Sequence, residues 1–228
     1  MTDFQLMKRG NHSSRDGGKV HAVVIHYTGK LANPPSNSAN NVVRWGKQPS
    51  CGVSWHACVD ADDIIWCIDE TRAAWHAKGY NRHTVGVEIG GGPTSFKKKN
   101  TKAWKDWHEA TMNNAAAVTA FWCTKFKIPV IRNCEYVKSE GAKGNRIQEG
   151  IFGHDATNPY RLLKGWKGKQ DPGQYFDWDL FMEKVEGYFP MHERPYFGRY
   201  NSNLPVTNDR EQLTAEEIKW LRTHLQMT

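Results

Sequence analysis

The stretch Lys19–Gly29, KVHAVVIHYTG, constrains the fold more than any other. Its centre is an unbroken apolar, β-branched run, and it stops at a Thr-Gly turn signal. A run of this kind reads as a buried strand. His26 closes the run, so an imidazole sits at the rim of whatever sheet this strand joins. The segment NPPSNS breaks the strand. SANNVVRWGKQ then reads as a short helix with Ser38 as its candidate N-cap. CGVSWHACVDADDIIWCIDE reads as two strands around a turn at residues 60–63. TVGVEIGGG is another β-branched strand, stopped by glycines.

From Lys102 to Phe126 the residues Trp104, Trp107, Ala110, Met112, Ala115, Val118, Phe121 and Trp122 recur at helical spacing. They predict a long amphipathic helix packed on the sheet. IPVIRNC reads as a strand. DWDLFMEKVEGYF reads as a second helix, with Asp177 or Asp179 in its first turn. Strand, helix, hairpin, strand, long helix, strand, helix is an α/β order: a central mixed β-sheet flanked by α-helices. Residues 1–189 form this domain. After Pro190 turn formers dominate until LTAEEIKWLRTHL, a helix capped by Thr214 with Leu213, Ile218, Leu221 and Leu225 on one stripe. Residues 190–228 are thus expected to be a C-terminal extension with a helix, docked on the domain or appended to it.

Composition narrows the partners. The 228 residues are 39% hydrophobic and 24% charged, enough for one sizeable core. Net charge is +7, which attracts polyanions: nucleic acid, anionic membrane or anionic cell wall. The run Lys97-Lys98-Lys99 with Lys102 and Lys105 reads as a solvated loop and helix face. No RNP-like, zinc-finger or helix-turn-helix pattern accompanies it, so nucleic acid is not expected. The N-terminal residues lack the long apolar stretch of a secretion signal. No segment approaches the roughly 20 apolar residues of a membrane span. The expectation is a chain that is cytoplasmic on synthesis, without stable membrane insertion. Five cysteines form no CxxC pair and read as free, mostly buried thiols. Of the ten tryptophans, core packing is the commoner use, and some are expected to line a groove and stack on flat or sugar-like ligands.

The chemistry lies in the histidines and in FGHDATNPYRLLKGWKGKQDPGQYFDW, residues 152–178. His154 stands near one end of this segment and Asp171 near the other. Pro172 fixes the backbone after Asp171. Each residue alone has an ordinary explanation: a rim or core histidine, or a turn aspartate. Two imidazoles and one carboxylate with a fourth position open make a catalytic zinc set. A strand end and two loops can bring them together. Spacing alone leaves the matter open.

Three segments in order, VVIHYTG, HAKGYNRHTVGVEIGG and GHDATNP…KQDPGQYFDW, resemble the zinc-dependent N-acetylmuramoyl-L-alanine amidases of the type-2 group. That family shares its fold with the peptidoglycan recognition proteins and the small phage amidases. The resemblance covers roughly Val20 to Phe189. It implies His26, His154 and Asp171 as Zn2+ ligands, Lys169 in the family's catalytic-lysine position when the Asp-Pro-Gly end is aligned, with Lys164 and Lys167 as nearby alternatives, and Glu88 in its acidic position. It makes His76, Tyr80 and Asn81 candidates to touch the muramyl sugar or stem peptide. Tyr80 is equally a candidate for fixing its loop. His56 is expected to be structural. Trp55 stands where several phage members carry a tyrosine near the metal. Having no acid–base proton, it counts with the substrate-contacting residues and shifts weight onto Glu88. Asp155 is discounted as a ligand, because adjacent residues rarely aim at one ion.

The expected activity is hydrolysis of the amide between N-acetylmuramic acid and L-alanine, with a phage endolysin as the favoured setting. Peptidoglycan is the partner, and a holin would open the way to the wall. A bacterial wall-recycling amidase is one alternative. A non-catalytic peptidoglycan-binding module is the other. Non-catalytic relatives often lose the third ligand, whereas this chain keeps a carboxylate there. The sequence assigns no oligomeric state. The stretch between His154 and Lys169 is longer than in compact family members, and a rim of the groove is its expected role.

Overall fold

The structure is a computed structural model that describes residues 11–28, 38–48, 50–91, 102–133 and 149–189. The expected C-terminal extension and Cys134 lie outside the described residues. The chain runs β1 (His12–Ser14), β2 (Ala22–Tyr27), α1 (Ser38–Gly46), β3 (Ala57–Val59), β4 (Ile64–Trp66), β5 (Arg72–Ala74) and β6 (Thr84–Ile89). It continues with α2 (Lys102–Phe126), β7 (Gly150–Gly153), a 3-10 turn (His154–Thr157), α3 (Asn158–Leu163) and α4 (Trp178–Gly187).

Five strands form the main sheet in the order β4-β3-β6-β2-β7, and β1 pairs with β5 in a separate antiparallel ribbon. β3, β6, β2 and β7 run parallel, and β4 returns antiparallel to β3. The sheet is therefore mixed, and helices cover it. All six residues of β2 are buried, as a central parallel strand covered on both faces requires.

The two faces differ in chemistry. Val23, Ile25 and Tyr27 of β2 join Val85, Val87 and Ile89 of β6 in the large core beneath α2 and α4. Trp122 and Phe181, contributed by those helices, are fully buried there. Burying an aromatic or aliphatic side chain of that size contributes about 1.5–3 kcal/mol. The Trp122 indole N–H donates to Glu70 Oε1 at 3.0 Å, so its polar atom is satisfied. On the opposite face the intervening residues Ala22 and Val24 pack with Tyr80 and Phe152. His26 and Glu88 continue that second face.

Local signals account for the helix ends. Asp177 caps α4, its side chain accepting the Leu180 backbone N–H, and Asp179 lies in the first turn. The hairpin turn is held by Asp60, whose carboxylate accepts the N–H groups of Asp62 and Asp63. One expectation fails. Residues 128–133 make no strand beyond a single bridge from Arg132 to Ile151 of β7. Pro129 has no N–H to give a ladder. The buried Ile128 and Val130 anchor the segment by side-chain packing instead.

Candidate metal centre and cleft

Three parallel strands deliver the site. His26 on β2 pairs with Glu88 on β6. Residues in register on neighbouring strands point to the same face, so imidazole and carboxylate stand side by side. β7 ends at Gly153 and His154 follows at once. The carboxyl ends of the strands are where open α/β sheets bind ligands. Asp171 comes from the loop before α4. The Asp155 N–H donates to the Asp171 carbonyl at 2.9 Å and holds that loop against the 3-10 turn.

His26 Nδ1 lies 2.9 Å, and His154 Nδ1 3.1 Å, from one oxygen, Asp171 Oδ2. One ligand atom from each of the three residues falls within 4.8 Å of the others. Tetrahedral ligands about 2.0–2.2 Å from an ion sit about 3.3–3.6 Å apart. The two nitrogen–oxygen distances are slightly tighter than that, so small movements suffice to admit an ion.

The hydrogen bonds behind His26 decide what its ring offers. The Thr84 hydroxyl donates to the Tyr80 carbonyl at 3.0 Å. Its oxygen is left to accept from His76 Nε2–H at 3.2 Å. His76 Nδ1 is then an acceptor, and it takes His26 Nε2–H at 3.0 Å. A neutral His26 thus turns a bare Nδ1 lone pair toward the Asp171 carboxylate. Two lone pairs at that distance repel unless a cation lies between them, so this donor set fits a metal ion. A Cβ at Gly86 would collide with the His76 ring, so the absence of a side chain there lets His76 lie against β6.

Burial pushes His76 well below the ordinary histidine range, and the neighbouring His26 and His56 add to it. Burial, then His26, lowers His154 to about 4, with Asp171 opposing. Burial alone would raise Asp171, but hydrogen bonding and positive charge from His154, and from His26 when that ring is protonated, hold it far below the usual carboxylate range. Glu88 moves the other way. Burial pushes it well above the ordinary range, Asp171 adds to this, and Lys169 opposes. The Glu88 carboxyl is 6% exposed and accepts no hydrogen bond from the described residues. It is free to serve water or substrate.

Lys169 is fixed through its backbone. The Asn158 side-chain amide donates to the Lys169 carbonyl at 2.7 Å and accepts the Lys169 N–H at 2.6 Å. Lys169 lines a cleft of about 390 Å3 together with Trp75, His76, Lys78, His154 and Arg161. It also lines a larger groove of about 1050 Å3 beside Arg132, Gln170, Tyr175 and Trp178.

The residues expected at the substrate separate into distinct places. His76 spends both ring nitrogens on His26 and Thr84 and is 5% exposed, so it backs His26 rather than offering a free nitrogen to substrate. Tyr80 is 4% exposed and packs edge-on to Phe152 and Tyr160, beneath the cleft. Asn81 lines the cleft, while its Oδ1 accepts the Ala77 N–H at 2.7 Å and ties the loop. Trp55 is buried with Val43 and Ile65, its ring 5.8 Å from Trp45, and lines neither groove. A tryptophan at that position fills the apolar space under α1. His56 is fully buried. It accepts the Gly86 N–H and gives its Nε2–H to the Arg72 carbonyl, a structural role. Asp155 points elsewhere than the metal set. Thr84, Asn158 and Arg161 carry site geometry that no sequence motif announced.

A family model described as N-acetylmuramoyl-L-alanine amidase matches residues 16–174. The chain belongs to this family. It is 26% identical over 149 residues to N-acetylmuramoyl-L-alanine amidase A of Achromobacter lyticus, covering 64% of this chain and 75% of that protein. It is 29% identical over 157 residues to the amidase CwlA of a Bacillus species, covering 62% of this chain and 55% of that protein. Among solved structures, it is similar to the Staphylococcus aureus hydrolase AmiA in complex with its ligand. The TM-score is 0.56 and the identity 18%, covering 78% of this chain and 77% of that one. This last likeness concerns the fold. The family, the mixed sheet with its flanking helices and the three-residue metal set agree with one another. Among the described residues, no helix is long and apolar enough to cross a membrane.

Proposed function

We propose that this amidase uses Zn2+ held by His26, His154 and Asp171 to cut the bond between N-acetylmuramic acid and L-alanine in peptidoglycan. The observation that carries the reading is the pair of imidazole Nδ1 atoms aimed at one Asp171 oxygen, with Glu88 in register beside His26. Zinc in such a site supplies Lewis acidity and makes water a nucleophile near neutral pH. Glu88 takes the proton of the attacking water and passes it to the departing nitrogen, so the bond breaks to an acid and an amine. Its raised affinity for protons suits a group that must both accept and return one. The Lys169 ammonium would balance the negative charge that grows on the carbonyl oxygen, a role supported by its place in the lining of both grooves. Asn158 keeps the Lys169 backbone in place for that task.

We further propose an endolysin setting. The charge of +7 favours adsorption to an anionic wall. A holin partner would open the membrane.

Digestion of purified peptidoglycan tests the reading. New free L-alanine amino termini should appear, with no new reducing sugar ends. A chelator should stop the reaction and added zinc should restore it. Reducing ends, or binding without any cleavage, would overturn it.

A second test separates the support of the metal from the metal itself. His76→Ala removes the acceptor that sets the His26 tautomer. Metal affinity should fall about 10–100-fold, as for other groups that orient metal-bound histidines. Titration against a competing chelator measures this. An unchanged affinity would show that His76 does not orient His26.

A further inference from the structure

The lengthened segment between His154 and Lys169 is a built wall of the cleft. Its α3 docks through an aromatic ladder. Tyr160 meets Tyr80 with ring centroids 5.7 Å apart and Trp166 at 5.9 Å. The Lys78 ammonium sits 4.0 Å over the Trp166 ring. Gly79 has φ +96°, and a Cβ there would strike the Tyr160 ring, so the ladder seats on a bare backbone. This docking carries Arg161 into the cleft.

Arg161 is held but incompletely paired. It is 7% exposed. Its Nε donates to the Lys167 carbonyl at 2.9 Å. Its two Nη groups donate to none of the described residues. A guanidinium held in the cleft wall through Nε, with the other edge of its fork unspent, is poised for an anion of matching shape. Burial lowers its affinity for the proton and Asp171 opposes this, so Arg161 stands within electrostatic reach of the metal end.

The two grooves differ in charge. The described lining of the small cleft holds Lys78, Arg161 and Lys169 and no acidic side chain. The larger groove sets Asp155, Asp177 and Asp179 against Arg132 and Lys169, with Tyr175, Trp178 and side-chain amides, so its charge is nearly balanced while that of the small cleft is wholly positive. Aromatic faces and amides suit neutral sugars, and carboxylates repel an anionic peptide. In a muramyl peptide the carboxylates lie on the amine side of the scissile bond. We propose that the stem peptide occupies the small cleft, where Arg161 and Lys78 bind one of its carboxylates, while the glycan follows the larger groove. This rests on the amidase reading above and adds to it the direction in which the substrate lies and the group that selects it.

Two soluble muramyl tripeptides, alike except that the peptide carboxylates are free or amidated, test the proposal. The wild-type protein should favour the free form by roughly tenfold in kcat/KM, mainly through KM, as a charge-assisted fork implies. R161Q should bring the ratio close to one, R161K should keep part of it, and K78Q should reduce it. K78Q changes an exposed side chain and guards against a folding defect in R161Q, and bound zinc and melting temperature are recorded for each variant. A wild-type protein without preference, or a preference that survives both R161Q and K78Q, overturns the carboxylate site while leaving the amidase reading intact. Cleavage of neither peptide by the wild type overturns both.

Discussion

Glu88→Gln is expected to keep a full complement of zinc and to lose turnover by about a thousandfold, within the span that general acid–base groups contribute. The substitution keeps the shape of a side chain that is 6% exposed, so folding should survive. It removes the proton exchange alone. Glu88 is the only carboxyl on β6, and its register opposite His26 sets it beside the ligand set without joining it. Burial and Asp171 raise its proton affinity, and Lys169 moderates the rise. Such a group can take a proton from water and still surrender it to a leaving amine. Glutamine can do neither. Steady-state hydrolysis together with metal analysis distinguishes the possibilities. Wild-type rates would remove Glu88 from the mechanism, and lost zinc would make it a structural support instead.

How much of this was legible in the sequence depends on the range of the signal. β2 and β6 announce themselves because their apolar, β-branched character is contiguous. α2 was read from Lys102 to Phe126 because a stripe repeated over seven turns cannot be mistaken for a strand. The turn at Asp60 is local chemistry and was equally plain, whereas the start of α4 was read as Asp177 or Asp179 and the structure assigns the cap to Asp177. β1 and β5 were not legible. Each has three residues, HSS and RAA, and they become strands only by finding each other some 60 positions apart. α3 is too short for its period to show, and its aromatic docking on the 76–81 loop is a tertiary fact.

The site divides in the same way. Residue type and placement at a strand end or beside a turn drew attention to His26, His154 and Asp171, and the family resemblance supplied Glu88. The roles of the ring nitrogens were hidden, because they depend on what lies behind each ring. Nothing in HAKGYN says that His76 will turn inward to His26 and Thr84. Nothing in the isolated Trp55 tells a groove wall from a core filler until α1 is laid over it. Arg161 carries no motif, and only the fold places it 7% exposed beside a cleft.

Asp171→Ala should abolish zinc binding and hydrolysis together. Asp171 is the one anionic member of the proposed ligand set, and both imidazoles converge on its Oδ2. Without it, two neutral rings remain, and a divalent cation loses both a bond and its charge partner. Loss of the metal's contribution to the barrier, several kcal/mol, corresponds to a fall on the order of a thousandfold or more. The carboxylate is 24% exposed at its side chain, and its removal opens no large apolar void, so the protein should still fold. Circular dichroism and metal analysis on one sample show this directly. Asp171→Cys provides the converse. A thiolate is a competent zinc ligand at about 2.3 Å, so this variant should recover zinc while alanine does not. Asp171→Asn keeps the shape and loses the charge, and it should fall close to alanine in affinity if charge rather than fit holds the ion. An alanine variant that retains both zinc and activity would show that His26 and His154 are completed by some other residue, and the three-ligand assignment would have to be abandoned.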